Sequence, residues 1–412
     1  MNTSDLLDAI VRRSRGQTTG RRLPGNRTAL LRAYFAGVPE EDLRHRDPKA
    51  LAVAALGHVA SALSRRSGVA IVRVFNPAVD RDGWLSDASI VQLVTDDMPF
   101  LVDSVTMTLN RLGHRVQLLI HPILGVKRSA SGQLQELVPL RGDGAHNAES
   151  FIHIEISKIA DADVLTRLQT ALEDALGDVR AAVEDWRAML AELRNANAEL
   201  RQTAPTRSDV LNESCDFLDW LADDHFTLLG YREYELSRGK TVDRLRPVPG
   251  TGLGISRDDP SVTTPAVTLN PQARRVAKTK TPLVITKADS NSTIHRSGHL
   301  DQIGVKVFGA DGKPRAVRRF VGLFTSAAYT ERPGDVPLVR LKIDRVMAKS
   351  GLDPTSHSGK ALQHILNTFP RDDLFQGSTN DLAKMSAGIL SLQERHQVKL
   401  FCRRDAFNRF YS

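Results

Sequence analysis

The sequence predicts an α+β fold: two successive sheet-bearing units with helical connectors. Three observations predict it. First, apolar alternation at 69–75, 89–94, 115–126 and 151–156 is interleaved with helix-period stripes in the order strand–helix–strand–strand–helix, with an extra hairpin, which is the split βαβ pattern. Second, a later set of alternating segments is joined mainly by turns, the mark of antiparallel pairing. Third, one apolar seam from Leu165 to Leu200 holds three–four spacing over several heptads and calls for an unusually long helix. At 412 residues the chain is too long for one ordinary core, and two or three domains are expected.

Residues 1–27 are polar with Arg and Gly and are expected to be a flexible N-terminus, within which Met1–Ile10 reads as an amphipathic helix start. Residues 28–66 form a helical lead-in. Leu30, Leu31, Tyr34 and Phe35 make one stripe; Asp47 caps a second helix with Pro48 as its first residue. Residues 67–176 hold the first α/β unit. Val69–Phe75 and Ser89–Val94 are strands, and Thr95–Pro99 is a tight connection. Phe100–Leu112 is a helix stopped by Gly113. Arg115–Val126 reads as one long strand, Ser129–Gly132 turns it into Gln135–Leu140, Phe151–Ile156 alternates, and a helix starts after Asp161. Residues 177–207 continue as long helix and linker, with Gly177 a weak point at about 1 kcal/mol relative to Ala. The seam has two equally compatible partners: an intrachain hairpin with Leu51–Leu63, or an oligomer contact.

Residues 208–330 hold the second unit. Leu211–Ala222 is a helix with Phe217, Leu218, Trp220 and Leu221 as core. Phe226–Leu236, Pro282–Lys287, Ile303–Phe308 and Arg318–Phe324 are strands, the last two a hairpin around Gly309–Lys313. Residues 331–395 are helical. Residues 396–412 open a further strand, with alternation from Val398 and nothing downstream to bury it. That predicts the front part of a longer polypeptide; the alternative is that the strand pairs backward with an earlier sheet.

Composition narrows the function. No run of 18 apolar residues exists, so no membrane partner is expected. The first residues lack a charged-then-apolar signal, and Cys215 and Cys402 are far apart without a Cys-x-x-Cys pair; a cytoplasmic protein fits both facts. The net charge of +8 is spread over dispersed pairs such as Arg65-Arg66, Arg274-Arg275 and Arg318-Arg319 with few aromatics, which argues against nucleic acid as a partner.

Catalytic and metal motifs are sparse. Gly250, Gly252 and Gly254 lack dinucleotide spacing and a following helix. His295 and His299 flank Ser297-Gly298 and read as loop residues rather than metal ligands. Ser326 lacks a nucleophile-elbow pattern, and Asp223-Asp224-His225 reads as a helix end. No catalytic, cofactor-binding or metal residue is assigned. The best ligand candidate is the loop Asp96, Asp97, Met98, Pro99 and Phe100. A strand running into a helix exposes free backbone N–H groups suited to a carboxylate, and Asp96 or Asp97 can pair with an ammonium. Asp97 acting only as a helix cap is the competing reading.

The chain resembles the large bacterial type of NAD-specific glutamate dehydrogenase. The resemblance is carried by Val72-Arg-Val-Phe-Asn-Pro77, Val94-Thr-Asp-Asp-Met-Pro-Phe100, Leu119-Ile-His-Pro-Ile123, Glu149-Ser-Phe-Ile-His-Ile-Glu155 and Leu218-Asp-Trp-Leu-Ala-Asp-Asp-His225. Gly322-Leu-Phe-Thr-Ser326, His357-Ser-Gly-Lys360, Phe369-Pro-Arg-Asp-Asp-Leu-Phe375 and Val398-Lys-Leu-Phe-Cys-Arg-Arg-Asp405 continue it, collinear from about residue 28 onward. The resemblance implies the N-terminal, non-catalytic segment of that family. The first unit would be ACT-like (ferredoxin-like), the second PAS-like, and the last strand the start of a second ACT-like domain. It implies oxidative deamination of L-glutamate to 2-oxoglutarate and ammonia, with NAD as cofactor of the full-length protein and none in this segment. The implied partners are the catalytic remainder of the polypeptide, further copies in a homo-oligomer, and an amino-acid effector at Asp96–Phe100. One departure stands out: a long helix occupies the place of the ACT fold's fourth strand, which Val69–Phe75 can fill. The alternative is a stand-alone amino-acid-sensing ACT/PAS protein.

Overall fold

The computed structural model describes residues 3–15, 23–139, 147–205, 208–261, 263–392, 398–401, 403–404 and 410–411. They form two compact units: Met1–Arg180 with Thr293–Ser297, and Ala181–Ser292 with Gly298–Ser412.

The first unit runs α1 (Thr3–Arg13), α2 (Arg27–Tyr34), α3 (Glu40–Arg44), α4 (Pro48–Ser61), β1 (Ile71–Phe75), α5 (Val79–Asp82), β2 (Ala88–Asp96), α6 (Leu101–Arg111), β3 (Val116–Ile120), β4 (Ile123–Arg128), β5 (Leu134–Pro139), β6 (Asn147–Ser157) and the start of α7 (Ala162–Thr203). Asp47 accepts from Lys49 N and Ala50 N, so the Asp-Pro start of α4 forms as the sequence predicts. The antiparallel sheet has the order β1-β2-β6-β4-β5, with β3 also on β6. β2 is buried at every position but the last, as a central strand covered on both faces must be. Val94 faces a core built from α1, α2 and α4 with Leu118, Ile120 and Phe151. Its neighbour Thr95 points the other way and accepts from Arg180 of α7 (3.1 Å), so α7 covers the opposite face.

Four features differ from the sequence reading or refine it. Within the expected flexible N-terminus, Thr3–Arg13 form the helix whose start Met1–Ile10 signals, and Leu6 and Ile10 are buried in the α2–α4 core, an apolar i/i+4 pair strong enough to dock a short helix. The single strand Arg115–Val126 breaks at His121-Pro122. Proline has no N–H for the ladder, and its carbonyl instead accepts from Phe151 N (3.0 Å). Helix α7 runs unbroken through Gly177, which is exposed and crowds nothing. β1 pairs antiparallel with β2, Val72 opposite Leu93, and so takes the edge that a strand after α7 would have filled.

The second unit begins with the later turns of α7, then α8 (Asp209–Trp220) and a π-turn at Leu221–His225. β7 (Phe226–Ser237), β8 (Arg244–Pro247), β9 (Leu253–Gly254), β10 (Val267–Thr268), α9 (Pro271–Lys278), β11 (Leu283–Asn291), β12 (His299–Phe308) and β13 (Pro314–Phe324) follow. The helices α10 (Ser326–Thr330), α11 (Val339–Ser350), α12 (His357–Thr368), α13 (Arg371–Gln376) and α14 (Thr379–Leu390) come next, then the short β14 (Arg403–Arg404) and β15 (Phe410–Tyr411). The sheet order is β10-β8-β7-β13-β12-β11, all antiparallel, with β9 on β7. One face packs Tyr231, Ile303, Val305 and Phe320 against α7, α8 and the C-terminal helices. The other packs Tyr234 and Leu245 against Ala273 of α9.

The second half of the α7 seam does not form the intrachain hairpin with Leu51–Leu63. Met189, Leu193, Ala196 and Leu200 join the core with Leu211, Cys215 and Leu218 of α8, while α4 belongs to a separate cluster. Val398–Phe401, expected to be a strand, has no ladder, and Val398 and Leu400 are exposed. Most of the expected second ACT-like start lies outside the described residues.

Candidate functional site

The β2–α6 loop is where the sequence placed its ligand candidate. Asp96 ends β2, opposite Glu149 on β6. Around them the fold gathers three arginines from distant positions. Arg65 donates to Asp96 Oδ1 and, at 2.6 Å, to Glu149 Oε1. Arg128 grips Glu149 with two bonds, Nε to Oε1 (2.6 Å) and Nη2 to Oε2 (2.8 Å). Arg180 reaches Asp96 Oδ2 at 2.7 Å. The side chains of Arg65 and Glu149 are 2% and 1% exposed, so each charge is held in place by its partners rather than by water. Burial works against the Asp96 carboxylate, yet Arg65 and Arg180 outweigh it and hold Asp96 below the usual range.

Asp97 is arranged differently. Its backbone N–H donates to Ala148 O (2.9 Å), and Oδ1 accepts from Ser150 Oγ (2.6 Å). The oxygen of Ser150 then accepts from His121 Nε2 (2.9 Å), which fixes the imidazole proton on that nitrogen. Burial pushes His121 down, with Asp97 opposing. Ser150 is fully buried and gives its proton to a carboxylate, not to the histidine, the wrong direction for a nucleophile. Asp97 itself is exposed. Met98 and Pro99 complete the turn. Phe100 takes a left-handed conformation (φ 72°), and α6 starts without a side-chain cap. Thr293–Ser297 belongs to this unit: His295 N donates to Ser104 Oγ (3.1 Å), and the His295 ring lies 5.1 Å from that of Phe100.

Asp96 and Asp97, adjacent in sequence, thus have separate roles. Asp96 is engaged by two arginines. Asp97 presents a carboxylate beside an uncapped helix start, an arrangement able to receive an ammonium and a carboxylate together. Sequence reasoning missed Arg65, Arg128, Glu149 and Arg180, which lie up to 115 residues apart and share no motif.

The other sequence candidates fall into structural roles. Asp224 has φ 56° in the π-turn, and His225 stacks on Trp220 with centroids 4.3 Å apart. Gly254 lies in a tight turn where a Cβ would come within 2.1 Å of Leu229 O. His295 and His299 bond to separate groups, Asp103 and Ala288 O. Ser326 follows the Thr325 cap of α10. Among the described residues no cluster of three metal-ligating side chains exists, and no helix is long and apolar enough to cross a membrane. The second unit also buries Asp301, paired with Lys287 (2.7 Å) directly across the ladder and pushed up to about 6 by burial.

Comparison with known proteins places these residues in a family. Residues 30–172 match the glutamate dehydrogenase ACT1 domain, and residues 336–395 match the glutamate dehydrogenase helical motif 1. A relative from Halomonas elongata is 36% identical over 386 residues, covering 92% of this chain and 24% of its own length; its name is NAD-specific glutamate dehydrogenase. The chain belongs to the large NAD-specific glutamate dehydrogenase family. The protein of that name from Pseudomonas aeruginosa is 37% identical over 82% of this chain and 21% of its own length. Its namesake from Mycobacterium tuberculosis is 29% identical over 84% of this chain and 20% of its own length. The chain thus spans about a fifth to a quarter of the length of the curated glutamate dehydrogenases it matches. In this chain the ACT1 match contains the Asp96–Phe100 loop, Arg65, Arg128 and Glu149, and the helical-motif match contains α11 to α14.

Proposed function

We propose that this chain is the N-terminal regulatory and assembly segment of an NAD-dependent glutamate dehydrogenase, and that by itself it is inactive. The observation that carries the reading is the pairing of an ACT1 match with relatives of which this chain covers only about a fifth to a quarter. Oxidative deamination of L-glutamate to 2-oxoglutarate, ammonia and NADH then belongs to the portion of the polypeptide not represented here. NAD binds there, and that portion is the principal partner, in a soluble, cytoplasmic homo-oligomer.

The second unit is PAS-like in this reading. What supports it is the ladder β8-β7-β13-β12-β11, which in chain order is 2-1-5-4-3, with α9 on one face. Nucleic acid is not a partner in this reading: Arg65, Arg274 and Arg318 are each paired with internal carboxylates at Glu149, Asp243 and Glu199.

The first unit senses an amino acid at Asp96–Phe100. Asp97 holds the ammonium, the amides at the start of α6 hold the carboxylate, and Met98 and Pro99 set the turn. Asp96 positions the loop through Arg65 and Arg180. The test is calorimetric titration of the chain with the twenty amino acids. One of them is expected to bind saturably, with Asp97→Ala abolishing the heat. No binding by any of the twenty would remove the effector reading.

A further inference from the structure

The second unit has a cavity of about 70 Å³ between α9 and one sheet face, away from the α7–α8 core. Its apolar wall comes from β8, α9 and β11; its polar groups are Thr286, Gln302, Lys306 and Arg319. The cations on this face are satisfied unequally. Arg232 sits opposite Arg319 in the ladder and is engaged by Asp258 (2.8 Å) and Ser256 O. Lys306 closes the end of α9: it donates to Val276 O, Thr279 O and Thr279 Oγ1, and burial pushes it down to about 8. Arg319 has neither kind of partner. Among the described residues its guanidinium lies over the Tyr234 ring, 4.2 Å from the centroid, with no hydrogen bond or ion pair. Its ladder partner on β12 is Gly304, which lines the cavity and where a Cβ would come within 3.2 Å of Val317 Cγ1.

A guanidinium stacked on an aromatic ring keeps its donor edge in plane and available, and that edge matches a carboxylate with two parallel bonds. Here it opens onto an apolar recess, and no acid is among the residues that line it; burial holds Arg319 below its usual range. A filled site of this kind takes a ligand with one charged end and a short apolar body. One probe sphere occupies about 10–15 Å³, so the cavity accommodates roughly five non-hydrogen atoms. No carboxylate is among its lining residues, so nothing there would receive an ammonium.

We propose that this cavity is a binding site for a short monocarboxylate of two to four carbons, its carboxylate held by Arg319 and its chain lying against Leu245 and Ala273. Gln302 and Thr286 supply the remaining hydrogen bonds. The site goes beyond the amino-acid loop of the first unit and does not rest on it: the two ligands differ in the presence of an ammonium, and the two sites lie in different units.

The experiment titrates the whole chain with acetate, propionate and pyruvate at constant ionic strength, following ligand NMR line broadening and thermal melting. Acetamide, glycine and chloride are the comparison probes. The expected result is saturable binding of at least one carboxylate, none of acetamide or glycine, and no competition by chloride. Arg319→Gln is expected to weaken binding at least tenfold, whereas Arg275→Gln, on α9 outside the cavity lining, leaves it unchanged. If Arg319→Gln fails to fold, Gln302→Leu, which intrudes on the recess without removing the cation, is expected to weaken binding at least fivefold. Absence of saturable binding to the wild-type chain overturns the proposal, as does equal competition by chloride or binding unaltered in a folded Arg319→Gln chain.

Discussion

At the scale of single residues, His58 shows how this chain handles buried polarity. It is completely enclosed, donates Nε2–H to Leu93 O (3.1 Å) and accepts from Tyr34 OH at Nδ1 (2.7 Å). Burial first, then the charges of His153 and Arg73, push its pKa far below the ordinary histidine value of 6.5, with the Leu93 bond opposing. The folded chain therefore keeps His58 neutral while the unfolded chain binds a proton below about pH 6.5. Stability from this group is present above that pH and is lost as pH falls through it. Denaturant midpoints measured from about pH 7.5 to about pH 5.5 are expected to fall, and His58→Gln is expected to flatten the slope; an unchanged slope would refute this assignment. Glu149 is a second case. Glu149→Gln leaves Arg65 and Arg128 short of a buried partner, and urea denaturation is expected to show a loss of about 3 kcal/mol; a change within error would mean that the cluster stabilises nothing. Neither group was legible in the sequence. Arg65 and Glu149 are 84 residues apart, and a pair made by tertiary folding leaves no periodic trace. Asp97 was legible because its place between strand and helix is a local property.

At the scale of elements, legibility followed the strength of local pattern. The Asp47-Pro48 start, the α6 stripe and the alternation of β2 and β6 each carry their own signal and form where expected. The amphipathic helix start at Met1–Ile10 was legible, but its docking was not, because the burial of Leu6 and Ile10 comes from tertiary packing. Leu6→Ala is expected to cost about 3 kcal/mol in chemical denaturation, since it leaves a cavity in a packed core; a loss below about 0.5 kcal/mol, normal for a surface site, would mean that α1 is not docked. β8, only four residues long, was too short to read. Gly177 was read as a weak point because propensity is local, whereas α7 is held on both sides of it by buried Val179 and Leu172. The glycine is exposed and nothing lies near a Cβ placed there, so Gly177→Ala is expected to stabilise the chain by about 0.5–1 kcal/mol. Destabilisation would indicate that the helix bends at that point.

At the scale of the whole molecule, each of the two units is built on its own antiparallel sheet, six-stranded in the first and seven-stranded in the second. The fold class was legible because hydrophobic period distinguishes strands from helices, and β1 takes the edge place that the reading offered to Val69–Phe75; the rest of the strand order was not, since ladder partners distant in sequence leave no periodic trace. The family matches fall on the first unit and on the C-terminal helices, the parts whose segments carried the resemblance most densely. The role proposed for these units is to regulate and assemble on behalf of a catalytic portion lying elsewhere in the polypeptide. Its most direct test is to incubate the purified 412-residue chain with L-glutamate and NAD and follow NADH absorbance, with a full-length member of the family as the positive control. The expected result is turnover by the full-length enzyme and none by this chain. Glutamate-dependent NADH formation by the chain alone would contradict the claim.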